Sequence, residues 1–155
     1  FIPFVSYFFD SGFSNSYEFF YNSGASDAFP YPPLMLYFLG FLGGFASNLS
    51  PFFIRIPMLL ADIGILLVLS RLLRGKATKI LKYYWWSPVL IYITYIHGQL
   101  DVVPIMFLLA SSYFLFKKKN IISALVLGLG ITAKTNLVLV MFDLKTNSRQ
   151  FFLMF

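Results

Sequence analysis

The chain has 155 residues, of which 59% are hydrophobic and 12% charged, with a mean hydropathy of +0.77, an apolar share that excludes an ordinary water-soluble domain as the expected class. The net charge of +6 does not point to nucleic acid, because most of the positive residues fall in two short clusters between apolar segments. The absence of cysteine excludes disulfides, thiolate metal sites and Cys nucleophiles.

Residues 1–33 come first as an aromatic and polar stretch. Gly12, Ser14, Asn15, Asn22, Ser23, Gly24 and Pro30 interrupt any long helix, which predicts an external loop with short amphipathic helices. Its acids are Asp10, Glu18 and Asp27, and it ends in Tyr31-Pro32-Pro33-Leu34, where two prolines preset φ and open a helix. From residue 34 to 155 the expected class is all-α, a polytopic transmembrane helical bundle with short or broken helices. Apolar runs fall at about 34–47, 53–70, 84–97, 101–116 and 121–142, and a new one begins at 151. A full crossing needs roughly 20 residues, so only the last of these runs and, nearly, the second are long enough. The shorter ones require tilt, flanking aromatics such as Tyr83, Tyr84, Trp85 and Trp86, or a half-crossing covered by protein. Pro51, Pro57, Pro88 and Pro104 are each expected near the start of a helix, where a missing N–H costs least.

Aromatic residues make up 21% of the chain, many of them at the edges of apolar runs where amphipathic rings favour a membrane interface. Arg71, Arg74, Lys76, Lys79 and Lys82 form one basic cluster and Lys117, Lys118 and Lys119 the other; the positive-inside bias puts both in the cytoplasm and the turn at 97–101 outside. The expected localisation is therefore a multi-pass integral membrane protein, in the plasma membrane of a prokaryote. Phe at position 1, without a basic segment followed by an apolar one, and a fresh apolar run at the other end suggest a piece of a longer protein.

Three places hold the residues that could carry chemistry. In His97-Gly98-Gln99-Leu100-Asp101 a base, an amide and a carboxylate converge on a tight turn between apolar helices. This reads either as a site for a polar headgroup or sugar with Asp101 or His97 moving a proton, or as an N-cap with an interfacial histidine. Lys134 lies roughly 20 Å along a helix starting near Ile121, at about the depth of Asp101 on the preceding helix. The two charges should face each other across the hairpin and could share a phosphate; the alternative is a snorkelling lysine beside Asn136. Asp62, among Leu59, Leu60, Ile63, Ile65 and Leu66, needs a partner, and an ion pair with Arg55, Lys134 or a residue elsewhere is the preferred reading. One histidine and scattered acids supply no metal-ligand spacing, and neither a glycine-rich phosphate loop nor a serine nucleophile motif is present.

Taken together, Tyr31-Pro32-Pro33-Leu34 after a polar loop, His97-Gly98-Gln99-Leu100-Asp101 after Trp86-Ser87-Pro88, and a hairpin with Lys134 resemble the GT-C membrane glycosyltransferases. The stretch from Ser11 to Tyr17 and the prolines that follow look like the first external loop of polyprenyl-phosphate-sugar dependent, mannosyltransferase-like members. The resemblance implies a hexosyltransferase that moves a sugar such as mannose from a polyprenyl-phosphate donor to an acceptor at the outer membrane face. It implies a membrane lipid and that lipid-linked donor as partners, no nucleic acid and no firmly required cofactor. An acid of the first external loop acts as base in that family; Asp10 is the candidate here, unless the acid precedes residue 1. Asp10, Asp101 and His97 are thus the expected catalytic residues, and Tyr31, Gln99 and Lys134 the expected substrate-binding ones, with Asp10 or Glu18 folded back over the cavity that holds the others. The alternative class is a non-enzymatic membrane protein, a transporter segment or a scaffold.

Overall fold

The computed structural model describes residues 1–43, 51–73 and 76–138. Among them every regular element is helical. The N-terminal stretch forms α1 (Ile2–Asp10) and α2 (Ser16–Asn22), followed by a 3-10 turn at Ser26–Ala28. α2 starts where Asn15 caps it, its side chain accepting from the Glu18 N–H at 3.4 Å while its amide approaches the Glu18 carboxylate at 3.5 Å. α3 (Pro33–Gly43) opens at the second proline of the Tyr-Pro-Pro-Leu motif, as expected from the fixed φ of that residue. The remaining helices are α4 (Pro51–Leu72), α5 (Ala77–Ile80), α6 (Pro88–Ile91), α7 (Val102–Phe116) and α8 (Asn120–Ala133), with a 3-10 turn at Thr135–Leu137.

Proline placement is as expected at Pro51, Pro88 and Pro104, but Pro57 lies inside α4, where it cannot donate to the carbonyl four residues earlier. The run 84–97 is broken. Leu81–Trp85 and Tyr92–Ile96 are π-helical, with i→i−5 bonds from the Trp86 N–H to the Leu81 carbonyl at 3.1 Å and from the His97 N–H to the Tyr92 carbonyl at 2.8 Å. The expected long helix over 121–142 also stops early. Lys134 takes an extended conformation (φ −153°, ψ 114°) and ends α8 at Ala133; residues 139–142, like the start of a run at 151, lie outside the described residues. Among the described residues no helix is long and apolar enough to cross a membrane: α7 and α8 are 15 and 14 residues long, and α4, at 22, carries Arg55, Asp62 and Arg71.

α7 and α8 form the expected hairpin around Lys117–Lys119, whose ammonium groups suit the negative end of the α7 dipole. Their packing is polar at one point: Ser111 Oγ donates to the Ser123 carbonyl and Ser123 Oγ to the Ser111 carbonyl, both at 2.9 Å and both buried. Nearer the open end, a Cβ on Gly130 would sit 3.1 Å from Phe107 Cβ, close enough that the neighbour would have to give by a few tenths of an ångström. α4 packs on α7, and α1 packs on α3, which also touches α8. One buried cluster joins Phe4, Val5 and Phe8 of α1 with Met35 and Leu39 of α3, Met58 and Ile65 of α4, and Leu100 and Val103 at the start of α7. The N-terminal stretch is therefore built into the same core as the hairpin. Outside this core, Leu60, Leu67, Ile105, Ile121 and Leu125 are exposed.

Asp62 is buried, and among the described residues its partners are not cations. Tyr84 donates to one carboxylate oxygen at 2.7 Å and Tyr95 to the other at 2.5 Å, each from one of the two π-helical segments. Among the described residues this clamp stands in place of the expected ion pair with Arg55 or Lys134, because Lys134 is held by Asp101 and Arg55 is exposed.

The serine pair gives a stability test. Ser111→Ala and Ser123→Ala should each cost about 0.5–1.5 kcal/mol. The double substitution should cost less than their sum, because the two hydroxyls lie within 3.0 Å of each other and act as one unit. Denaturant unfolding of the four chains in one detergent measures the coupling.

Candidate functional site

The open end of the hairpin is also where the chain enters α7. The second π-helical segment ends at His97, Gly98 follows with φ +77°, a left-handed conformation natural to glycine, and the Gln99 N–H closes on the Ile93 carbonyl at 3.1 Å. Leu100 then plunges into the core, fully buried, which leaves Gln99 and Asp101 on either side of an anchored residue. The polar turn is thus positioned by an apolar neighbour and a reversed φ.

Asp101 is the first residue before α7, but its carboxylate makes no capping bond. Oδ1 instead receives Lys134 Nζ at 2.6 Å and the Tyr31 hydroxyl at 3.1 Å. The pairing expected across the hairpin is present, though by a different route. Lys134 reaches Asp101 from the residue that ends α8, and not from within a continuous helix. Oδ2 of Asp101 has no hydrogen-bond partner among the described residues. With side-chain exposures of 29% for Lys134 and 32% for Asp101, the pair stays within reach of a ligand.

Tyr31 ties the two halves of the site together. Its ring lies 5.9 Å from Lys134 Nζ, within cation–π range, and its oxygen accepts the Leu100 N–H at 3.2 Å while its hydrogen goes to Asp101. Burial first, and then the charge of Asp101, hold the Tyr31 phenol well above the ordinary tyrosine range, so it remains a neutral donor. The Tyr17 hydroxyl donates to the Tyr31 carbonyl at 2.6 Å; burial and then Tyr37 push that phenol up to about 12. The short helix α2 thereby fixes the backbone of the tyrosine on which the site rests.

These groups line a cavity of about 550 Å³ together with His97, Gln99, Asn136, Phe1, Ala28 and Pro30. His97, Gln99 and Asp101 gather at one opening, as the polarity of the turn demands, and Tyr31 and Lys134 join them. Asn136 lines the cavity because the extended Lys134 and the following 3-10 turn carry the chain around the hairpin's end. Asp10 and Glu18 do not line it. α1 begins at the cavity with Phe1 beside Tyr31 and runs away from it, so Asp10, at its far end, lies roughly 12–14 Å along the helix axis. Glu18 is occupied at the α2 cap and exposed. No group of three or more metal-ligating side chains occurs among the described residues.

Tyr31→Phe should cost about 1–3 kcal/mol, since it strips Asp101 of a donor and leaves the buried Leu100 N–H without its acceptor. The loss is measurable by denaturant unfolding, and Tyr17→Phe should cost less because the Tyr31 carbonyl it frees is only half of that network.

In comparisons with known proteins, the chain matches no family model, no curated protein and no solved structure.

Proposed function

We propose that this chain belongs to a membrane glycosyltransferase of the GT-C type that takes its sugar, such as mannose, from a polyprenyl-phosphate donor at the outer face of a prokaryotic plasma membrane. The observation that carries the reading is the Asp101–Lys134 pair at the open cavity, with one carboxylate oxygen held by Lys134 and Tyr31 and the other free. The exposed apolar side chains of α4, α7 and α8 support a lipid surrounding, since they have no aqueous use in such number. The sequence resemblance supplies the reaction class.

The chemistry follows from the roles these groups can fill. An ammonium has three donors, of which Asp101 takes one, so Lys134 can turn the others to a donor phosphate. The free Oδ2 of Asp101 accepts the proton of the acceptor hydroxyl as that oxygen bonds to the anomeric carbon. The bond from that carbon to the phosphate oxygen breaks, and the charge released on the phosphate is met by Lys134. His97, exposed at the cavity rim, passes the proton to solvent, and Gln99 and Asn136 offer amides to sugar hydroxyls. Asp10 has no part in this scheme.

A second reading rests on the same ion pair: Asp101, Lys134 and Tyr31 form a tie that closes the hairpin, in a non-enzymatic transporter or scaffold.

The two readings differ under substitution. In the glycosyltransferase, Asp101→Asn should lower sugar transfer from a polyprenyl-phosphate donor about 10²–10⁴-fold. Lys134→Met should raise the KM for the donor by more than its effect on unfolding accounts for. Transfer and unfolding are to be measured on the same full-length preparations. A loss of stability with donor KM unchanged assigns the pair to the structural tie.

A further inference from the structure

A second cavity, of about 240 Å³, lies against α4 on the side of the π-helical segments and is lined by Asp62, Tyr84, Tyr95, Trp85, Trp86 and aliphatic neighbours including Leu59. Its composition is specific. One carboxylate, 5% exposed, is the only acid in it, and four aromatic side chains and aliphatic ones form the rest.

The bonding of that carboxylate decides what the cavity can hold. Both of its oxygens accept a phenolic hydrogen, at 2.7 Å from Tyr84 and 2.5 Å from Tyr95. No cation pairs with Asp62 among the described residues: Lys134 is spent on Asp101, and Arg55 is exposed with no ion pair. Each carboxylate oxygen keeps a second lone pair. A buried charge without a counter-ion is expensive, and the walls here are indole and phenol rings whose π faces attract a cation. A small, strongly hydrated ion such as sodium would find few oxygen ligands in this lining. An alkylated ammonium needs none, because its methyl groups fit the aromatic walls while its charge meets the carboxylate.

We propose that this cavity is a binding site for an alkylammonium group, with Asp62 as counter-ion, Trp85 and Trp86 as aromatic walls, and the Tyr84 and Tyr95 hydroxyls fixing the position of the carboxylate. The two π-helical segments are what make the site. An added residue in a helical turn displaces the side chains that follow it, and here each segment delivers one tyrosine to the same carboxylate. The site is separate from the cavity around Asp101: no residue lines both. It stands whether or not the glycosyltransferase reading does. The ammonium can come from a soluble amine or from a lipid headgroup of the choline type.

Trp85 and Trp86 are the two tryptophans of the chain, so their emission reports on the cavity directly. The experiment titrates tetramethylammonium chloride into the full chain in a non-ionic detergent, with sodium chloride at equal ionic strength as the control. A saturable change in emission with the first salt and none with the second is the expected result. Asp62→Asn should weaken binding by about thirtyfold or more, the cost of removing one partner of a desolvated charge pair. Trp86→Leu, at a position 71% exposed, keeps the fold and leaves Trp85 as reporter; it should weaken binding by about three- to tenfold. Mixed micelles doped with phosphatidylcholine or phosphatidylglycerol separate the two sources. Competition by phosphatidylcholine alone assigns the ammonium to a lipid headgroup, and competition by neither assigns it to a soluble amine. Absence of a saturable response in the unsubstituted chain overturns the proposal, as do equal affinities for the unsubstituted chain and Trp86→Leu, even where Asp62→Asn fails to fold.

Discussion

The Asp101 carboxylate is the point at which the three parts of the chain meet. Lys134 comes to it from the end of α8, Tyr31 from the segment that leads into α3, and its own backbone opens α7. These contacts tie the hairpin's open end to the N-terminal helices at the rim of the cavity. The closed end is held differently, by the reciprocal Ser111–Ser123 bonds. The hairpin is thus pinned at both ends by polar contacts.

Apolar packing and polar pinning divide the work along the sequence. Leu100, Val102 and Val103 are buried next to Asp101, and Ala133 is buried next to Lys134. Each charged side chain therefore sits beside an anchor whose burial contributes about 25 cal/mol for every Å² of apolar surface removed from water, and the anchors set where the charges fall. Phe4, Phe20 and Phe29 stack in turn beneath Tyr31, so the aromatic wealth of the first 33 residues builds a floor for the site. Those rings had an interfacial reading in the sequence, and the packing gives several of them a core position.

The π-helical segments mark a second departure from regular packing. A regular helix from Leu81 onward would carry Tyr84 and Tyr95 to different angular positions. The irregular turns cost some backbone regularity and offset it with two hydrogen bonds to a buried carboxylate, each to a charged acceptor. Two acids, Asp62 and Asp101, are thereby stabilised by tyrosine, one alone and one together with lysine.

Much was legible in the residues themselves. Helical class follows from the apolar runs and the proline positions, the Pro33 start of α3 from its fixed φ, the turn at 97–101 from Gly98 among polar neighbours, and the meeting of Asp101 with Lys134 from equal distances to one connecting turn. These are local or hairpin properties, set by chain geometry over a few turns. What tertiary packing decided are the long-range choices: that Tyr31, 70 residues away, is the second donor to Asp101; that α8 stops at Lys134; that Asp62 pairs with Tyr84 and Tyr95 and with no cation among the described residues; and that Asp10 does not line the cavity. Residue types and spacings restrict which partners a charge can take, but the selection among them depends on which helix faces are brought together, and that is a property of the packed core alone.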